Sequence, residues 1–471
     1  MLRVTAQTPV RLCDRVSRRE LLRIGGLGAF GCTLTELLQP TAQAKTNTPT
    51  DPPRGRAKSC IVIFLCGGPS QHATWDPKPN APAEVRGEFG HIATAVPGMS
   101  LGELLPQTAT LADRLCLLRA MRTGDNAHSS SGYYMLTGVP HQPLNAENVN
   151  PGAPNNWPQF ASIVRHLQPD AASLPNAVRL PQHIHNTDGS VWPGQDAGFL
   201  GRASDPWLFR CQPASADFRI PEFSLPEELP LDRFHSRQSL LDEIERLRAA
   251  SRREDASGGS YQKAIDQAFD LLTSREARAA FDLSQESDTS RDRYGRSQFG
   301  QSLLLSRRLI EAGVRLVQVN WFRGPDEPFD APCWDSHVRE ADRLKKVLMP
   351  TFDQAYSALL SDLDGRGMLD ETMVVCMSEF GRSPKINVVA GRDHWGSVFS
   401  VALAGGGLRG GYIHGASDTI GGEPKDGMVR PQDLLATMFQ SLGLSPATEI
   451  HDPLGRPFPI ARGEVVREIM A

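Results

Sequence analysis

The feature of this sequence that most constrains its fold is a set of short apolar runs with little or no polar alternation. A strand buried on both faces of a parallel sheet has this composition, because neither of its faces meets water. The runs are Cys60–Leu65, Val314–Val319, Met373–Met377 and Val398–Leu403. Helical patterns lie between them. This alternation of strands and helices predicts an α/β fold with a central, mostly parallel sheet.

Amphipathic patterns predict where helices flank this sheet. Apolar residues recur at helical spacing over Leu101–Arg114 and over Met349–Leu363. The stretch from about 231 to 309 is rich in Arg, Glu, Gln and Ala, and we expect a helical insertion that packs against the sheet. The segment 140–230 is rich in Pro, Asn and Gly, which predicts long loops over one end of the sheet.

The first 44 residues differ from the rest of the chain. Arginines dominate their start, and the short, glycine-rich apolar stretch Ile24–Gly31 follows. Ser17–Leu22 closely resembles the twin-arginine consensus, and Ala42–Ala44 supplies the small residues that a signal peptidase reads. We therefore predict a signal over 1–44, export by the twin-arginine translocase to the periplasm or cell envelope, and no stable membrane span in the mature chain.

Two other interpretations of this segment stay open. It could be an amphipathic N-terminal helix with a chance arginine pair, or a lipoprotein signal ending at Cys32, although the bulky Phe30 fits that signal poorly. Residues 45–58 are rich in Thr, Pro and Arg and predict a linker. Residues 59–471 are then expected to form a single α/β domain that includes the helical insertion.

Charge and cysteine content argue against two classes of protein. A net charge of −4 gives no basic footprint for nucleic acid, although a local cationic site stays compatible with it. Six of the 8 cysteines follow the predicted signal, since Cys13 and Cys32 lie within it. They form no CxxC pair, which argues against a redox protein. Cys60 and Cys376 lie in apolar runs, where we expect buried thiols.

Acidic and histidine side chains gather near the predicted strands. Ligands of an open α/β sheet bind beyond the carboxyl ends of its strands. Carboxylate and imidazole groups are the usual ligands of zinc or manganese. We therefore expect a divalent-cation site (zinc, manganese or calcium) at one edge of the sheet. Its candidate ligands are Asp76, Asp335, His337, Glu379, Asp393 and His394.

Each candidate also has a purely structural interpretation. Asp335 could cap a helix that begins just after it. Glu379 could form an ion pair with Arg382, and His394 could be a hydrogen-bonded core histidine. The residues alone do not choose between these roles.

Three segments resemble the alkaline phosphatase and sulfatase superfamily. His128–Gly138 is similar to the CxPSRxxxxTG signature of sulfatases, Leu369–Gly381 to the stretch that ends in SDHG, and Arg430–Thr437 to a late D-L-x-P-T helix. Their order and spacing match the superfamily from about residue 58 to 460. The motifs GGPSQ, WDPKP, SEFGR and GRDHW are in addition similar to an uncharacterised exported bacterial family, the domain of unknown function DUF1501.

Residues that react in sulfatases are replaced here, so their mechanism does not transfer. Cys66–Gly68 stand where paired aspartates are expected, and His128 stands at the nucleophile position. Glu379 replaces the SDHG aspartate, one methylene longer. His128 could be a metal ligand or a nucleophile. Ser129 could be a nucleophile at a helix N-terminus that favours an anionic substrate, or an ordinary helix cap.

The resemblance implies a metal-dependent hydrolase of sulfate or phosphate esters, either small molecules or glycan-linked. Arg382 or Lys385 would neutralise charge on the reacting group. His183 and His185 would line the pocket, or lie on a loop surface. The alternative is a catalytically inactive sulfatase-like protein that binds a glycan or a partner in the cell envelope. The missing aspartates favour this alternative, and the surviving acid and histidine clusters favour an enzyme.

Overall fold

The computed structural model describes residues 55–168, 170, 174–186, 188–215 and 218, isolated positions between 233 and 244, and residues 274–321, 327 and 333–471. The predicted export signal lies outside these residues, as do residues 45–54 of the predicted linker and most of 231–273. The division into signal, linker and single domain therefore stays a prediction. No helix in the described part of the chain has the length and apolar character that a membrane crossing requires.

Eight strands form the central sheet. They are β1 (Ser59–Leu65), β4 (Leu115–Met121), β5 (Ala177–Leu180), β6 (Trp207–Leu208), β7 (Leu316–Trp321), β8 (Thr372–Met377), β11 (Phe399–Ala404) and β12 (Tyr412–His414). Their order across the sheet is β12-β4-β11-β8-β1-β7-β5-β6. β1 is parallel to both β7 and β8, whereas β11 is antiparallel to its neighbours β4 and β8. The predicted mostly parallel sheet is thus confirmed.

Four short two-stranded ribbons surround this sheet. They pair β2 (His91–Ala93) with β3 (Ser100–Gly102), β9 (Gly381–Arg382) with β10 (His394–Trp395), β13 (Ala416–Ser417) with β14 (Pro424–Asp426), and β15 (Glu449–His451) with β16 (Pro457–Pro459). The β9–β10 pair matters for the site described below, because it sets Arg382 opposite His394.

Helices cover both faces of the sheet. Those of the described residues are α1 (Ala83–Arg86), α2 (Pro106–Ala109), α3 (His128–Thr137), α4 (Phe160–Leu167), α5 (Arg275–Phe281), α6 (Asp288–Tyr294), α7 (Gln298–Glu311), α8 (Glu340–Arg343), α9 (Met349–Gly365) and α10 (Pro431–Ser441). Because successive side chains of a strand point to opposite faces, β1 contributes to two cores. Ile61 and Ile63 share one core with α7 and α9, and Val62 and Phe64 share the other with α3 and α10. The α/β class is confirmed.

The predicted helix over Leu101–Arg114 is wrong. Leu101 lies in β3, whose partner is β2, and only the four-residue α2 and one 3₁₀ turn follow. Pro106 begins α2, and Asp353 of α9 accepts hydrogen bonds from the main-chain N–H groups of Gln107 and Thr108 at 2.9 and 2.8 Å. A contact from a distant helix thus fixes this turn, and the local apolar spacing does not reveal it.

The proline-rich segment 140–230 holds more regular structure than predicted. It contributes α4, the strand β5, which lies between β7 and β6 and is parallel to both, and the edge strand β6. Both strands are too short to stand out as apolar runs. The described end of the predicted insertion is helical, as expected: α7 begins after Ser297, whose side chain accepts a hydrogen bond from Gly300 N at 3.0 Å, and it packs on β7 and α9.

Candidate metal centre

Two strand ends meet beside the centre of the sheet. β8 ends at Met377, and Glu379 follows it, fully buried. β1 ends at Leu65, and the main-chain N–H of Gly67 donates to Oε1 of Glu379 at 2.8 Å. Gly67 has a φ of 109°, and a Cβ atom there would lie 2.3 Å from the main-chain nitrogen of Asp335. Glycine is therefore needed where this turn packs against the Asp335 loop.

Three histidine Nε2 atoms surround the carboxylate of Asp335. Oδ1 lies 3.0 Å from Nε2 of His337 and 3.0 Å from Nε2 of His394. Oδ2 lies 3.2 Å from Nε2 of His128. The Nε2 atoms of His337 and His394 are themselves 2.8 Å apart. Loops that are distant in sequence thus bring one carboxylate and three imidazoles to one point.

The opposite ring nitrogens have partners of their own. Nδ1 of His128 lies 2.7 Å from Oε1 of Glu379, and Nδ1 of His394 lies 2.7 Å from the main-chain oxygen of Asn126. A carbonyl oxygen only accepts hydrogen bonds, so Nδ1 of His394 carries a proton. This is the pattern by which proteins orient metal-bound histidines: an acceptor holds one nitrogen and leaves the other for the metal.

His394 faces Asp335 with a lone pair. Burial, together with the charges of His128 and Arg382, lowers the pKa of His394 to about 4, and the bond to Asp335 opposes them only in part. The ring is then neutral at pH 7, with its proton on Nδ1. Its Nε2 and Oδ1 of Asp335 are both acceptors, and they face each other at 3.0 Å. A cation between them would turn this repulsion into attraction.

His128 behaves differently from His394. Burial alone would lower its pKa, but bonds to the carboxylates of Asp335 and Glu379 outweigh burial and raise the pKa to about 10. For Asp335, burial favours the neutral form, but the charge of Arg382 and the bonds to the histidines hold the pKa of the carboxyl well below its usual range. Without a cation, both ring nitrogens of His128 are therefore protonated at pH 7, and the ring is positively charged.

Arg382 joins the loops around this centre by hydrogen bonds. Its side chain is fully buried and donates to the main-chain oxygens of Gly67, Gly68 (3.0 Å), Trp334 (3.2 Å) and Arg392 (3.1 Å). It also donates to Oδ1 of Asp335 at 2.5 Å. Arg382 therefore pairs with Asp335 and not with Glu379. These contacts occupy all three guanidinium nitrogens, so Arg382 is fixed among the loops that carry Gly67 and Asp335.

The serine next to His128 points away from the cluster. His128 is the first residue of α3, and Ser129 follows it with no exposed surface. Its Oγ donates to the main-chain oxygen of Ala146 at 3.1 Å and accepts from Val149 N at 3.4 Å. The hydroxyl thus ties α3 to the 145–149 loop. Oε1 of Glu147 in that loop accepts from the main-chain N–H of His128 at 2.7 Å.

Other predicted site residues contact groups other than Asp335 or are exposed. The carboxylate of Asp76 is occupied by Lys78 at 3.0 Å and by Ser417. Asp393 is largely exposed, with Oδ1 3.6 Å from Nδ1 of His337. The remaining three are distributed as follows: Lys385 is exposed, His185 is exposed with Nδ1 3.2 Å from Gly189 O, and His183 lines a cavity with Arg179.

The donor set fits a divalent cation. His128, Asp335 and His394 each offer one atom, and these atoms lie within 4.8 Å of one another. For bonds of ~2.1 Å, adjacent octahedral ligands lie about 3.0 Å apart and tetrahedral ligands about 3.4 Å apart. The separations around Asp335, between 2.8 and 3.2 Å, fall close to the octahedral value. Sequence reasoning missed the Asn126 carbonyl, because a main-chain acceptor leaves no mark in residue type.

Comparisons with known proteins place the chain as follows. Residues 57–470 match the family model described as "Protein of unknown function (DUF1501)". A search of curated proteins finds no match. Among solved structures, the chain is similar to the PsFucS1 sulfatase from Pseudoalteromonas sp., with 12% identity, a TM-score of 0.36 and coverage of 83% of this chain and 68% of that one.

Two further solved structures are similar at comparable levels. One is the phosphonate monoester hydrolase SpPMH from Silicibacter pomeroyi, with 13% identity, a TM-score of 0.36 and coverage of 87% and 76%. The other is the lipoteichoic acid synthase LtaP from Listeria monocytogenes, with 8% identity, a TM-score of 0.31 and coverage of 83% and 73%. Any function of this chain therefore has to be argued from its own site.

Proposed function

The chain belongs to the DUF1501 family of proteins of unknown function, and we propose that it is a divalent-cation-dependent hydrolase of sulfate or phosphate esters. One observation carries this proposal. Nε2 of His337, Nε2 of His394 and Oδ1 of Asp335 form a triangle with sides of 2.8, 3.0 and 3.0 Å. Imidazole nitrogens and a carboxylate oxygen are ligands of divalent cations, so a cation would stabilise this triangle, whereas Nε2 of His394 and Oδ1 of Asp335 repel each other without one.

His128, His394 and Asp335 would hold the cation, and His337 would complete the set. Three imidazoles and one carboxylate suit zinc or manganese, whereas calcium prefers oxygen ligands alone. A cation of this kind polarises an ester oxygen and lowers the pKa of a bound water. His337 has the most exposed side chain of the three histidines, at 34%, and so lies on the solvent side of the centre.

The surrounding residues orient the ligands. Glu379 accepts the Nδ1 proton of His128, which fixes the ring and makes its Nε2 a stronger donor to a cation. Ser378 Oγ and Gly67 N donate to the two oxygens of Glu379 at 2.7 and 2.8 Å, so this carboxylate is itself fixed. Arg382 balances the negative charge of Asp335.

Two observations support an anionic ester as the substrate. The segment that begins α3 resembles the sulfatase signature, and α3 starts at the metal centre, where the N-terminus of a helix favours negative charge.

The Ser129 hydroxyl is bonded to the 145–149 loop. We therefore assign it no role as a nucleophile.

The experiment that tests this proposal combines metal analysis with an ester screen. The full chain, purified without chelator, should carry about one zinc or manganese ion, and it should hydrolyse p-nitrophenyl sulfate or phosphate. Chelation should abolish the hydrolysis, and the added metal should restore it. The His394→Ala variant should lose both properties. The matched variant His451→Ala removes an exposed histidine of β15 and should keep both.

Two results would contradict the proposal in different ways. Equal metal content in His394→Ala and in the parent would contradict the proposed metal centre. Stoichiometric metal with no hydrolysis of any sulfate or phosphate ester would leave the centre in place and reject the hydrolase. That second result would favour a binding protein of the cell envelope.

A further inference from the structure

A cavity of about 650 Å³ has Trp192, a neighbour of His128, in its wall. We call it the Arg179 cavity, and its wall includes Arg179 of β5, His183, Trp192 and Gln195. The ring centroid of Trp192 lies 5.9 Å from that of His128. Trp192 is therefore shared by the cavity and the metal centre, and its indole Nε1 is buried without a hydrogen-bond partner.

Arg179 is a buried cation whose direct partners are all neutral. It is 1% exposed. Its guanidinium donates to Nδ1 of His183 at 2.9 Å, to Oε1 of Gln159 at 2.5 Å and to the main-chain oxygen of Gln195. Its Nε is buried and has no partner. No ion pair of Arg179 is recorded among the described residues.

This arrangement is costly for the chain alone. Burial lowers the pKa of Arg179 to about 10, which still leaves the guanidinium charged at pH 7. A buried charge without an adjacent counter-ion destabilises a protein, since water has been removed and nothing of opposite charge replaces it. His183 does not help. It accepts from Arg179 through Nδ1, and burial and the charge of Arg179 lower its pKa to about 4, so it stays neutral.

Two acids share the cavity wall but do not pair with Arg179. Oδ1 of Asp205 accepts from Ala197 N at 2.7 Å, and Oδ1 of Asp196 accepts from Gly198 N at 2.9 Å. Both carboxylates thus stabilise local turns. They raise the pKa of Arg179 from a distance without neutralising it. Among the described residues, Arg179 therefore has no direct counter-ion.

We propose that the Arg179 cavity binds an oxyanion group of a ligand, a carboxylate, sulfate or phosphate, with Arg179 as its counter-ion. Arginine suits this role because its guanidinium stays charged when buried, and Nε of Arg179 is a donor without a described partner. The cavity and the metal centre would engage the same substrate, with Trp192 next to both. Only this last statement rests on the proposed function.

The test measures anion binding without the metal centre. In the His394→Ala background, the full chain is titrated with sodium sulfate and, separately, with sodium acetate at constant ionic strength. Calorimetry gives the affinity, and tryptophan fluorescence reports on Trp192. We expect saturable binding of at least one anion. Preference for sulfate would indicate a tetrahedral group, and preference for acetate a carboxylate. Arg179→Gln should weaken binding about tenfold or more, and Arg122→Gln, a change at an exposed arginine, should leave it unchanged.

Several outcomes would overturn the proposal. They are the absence of saturable binding for both anions, and equal affinity in Arg179→Gln and its background. If Arg179→Gln does not fold, the Trp192→Phe variant provides the test. A fluorescence change on anion binding that persists in this variant would place the anion elsewhere. Loss of the fluorescence change, with anion binding still detected by calorimetry, supports the cavity. This titration is done in a background without the cation. A negative anion-binding result therefore does not bear on the proposed hydrolase, and a negative ester screen does not bear on anion binding in the cavity.

Discussion

The Nε2 atoms of His337 and His394 lie 2.8 Å apart, and both lie 3.0 Å from Oδ1 of Asp335. One N–H···N hydrogen bond could join the two rings. His394 has its proton on Nδ1, however, where it donates to the carbonyl of Asn126. His337 could then donate to only one of its two close neighbours, and one pair of acceptors would stay opposed. A cation shared by all three atoms removes this conflict.

Cation binding should release about one proton per chain at pH 7. Burial opposes protonation of His128, but Asp335 and Glu379 raise its pKa to about 10, so the cation-free centre holds a proton that a cation must displace. His394, with its pKa near 4, contributes none. Calorimetry in buffers of different ionisation enthalpy counts these protons. A count near zero for the parent chain would contradict the assignment of His128 as a ligand.

The stability of the cation-free chain should fall as the pH rises above neutrality. The pKa of His128 is raised in the folded state from its ordinary 6.5 to about 10. Its bonds therefore stabilise the fold fully below about pH 6.5, and this stabilisation is lost as the pH rises towards 10. Urea unfolding between these limits should show the decline. His128→Gln should flatten it; an equal slope in both proteins would mean that other groups cause the decline.

Replacing Glu379 by Gln should weaken cation binding about 10- to 100-fold. The amide oxygen can still accept the Nδ1 proton of His128, but the negative charge that strengthens this bond is lost. Competition with a metal-binding dye gives the affinity. Glu423→Gln is the matched control, because Glu423 forms an exposed ion pair with Arg122. Parent-like affinity in Glu379→Gln would show that the carboxylate only fills space.

Ser129→Ala should keep ester hydrolysis within about twofold of the parent. Its Oγ is bonded to the loop at Ala146 and Val149, away from the cluster. The substitution should instead lower the free energy of unfolding by about 1 kcal/mol, the value expected for one lost hydrogen bond. Steady-state kinetics and urea unfolding separate the two effects. A loss of hydrolysis by several orders of magnitude, with stability intact, would restore Ser129 as the nucleophile.

Glu147→Gln should improve the binding of anionic substrates by about two- to fivefold, the range expected for one charge at a helix N-terminus. Oε1 of Glu147 accepts from the main-chain N–H of His128 and so brings negative charge to the start of α3. The amide keeps this bond and removes the charge. The KM for a p-nitrophenyl ester, or the inhibition constant of inorganic phosphate, measures the change. An unchanged or weaker affinity would mean that the substrate binds elsewhere.

The apolar runs by themselves determined the centre of the fold. β1 and β8 follow Cys60–Leu65 and Met373–Met377 within one residue, because strands buried on both faces admit almost no polar residue. Asp335 follows β7 and Glu379 follows β8, and parallel strands end at the same edge, so these two side chains could be expected near it. His394 precedes β11, and it lies near this edge because β11 is antiparallel to β8. The export signal stays a prediction from sequence alone.

Only the tertiary structure decided what each side chain touches at that edge. Glu379, just after β8, contacts His128. Arg382 pairs with Asp335, and Asp76 contacts Lys78 and Ser417. Two of these contacts, Glu379 with His128 and Asp76 with Ser417, join residues more than two hundred positions apart, and no periodic signal marks their approach. The Arg179 cavity is likewise invisible in sequence, because a buried charge differs from an exposed one only in the atoms that surround it.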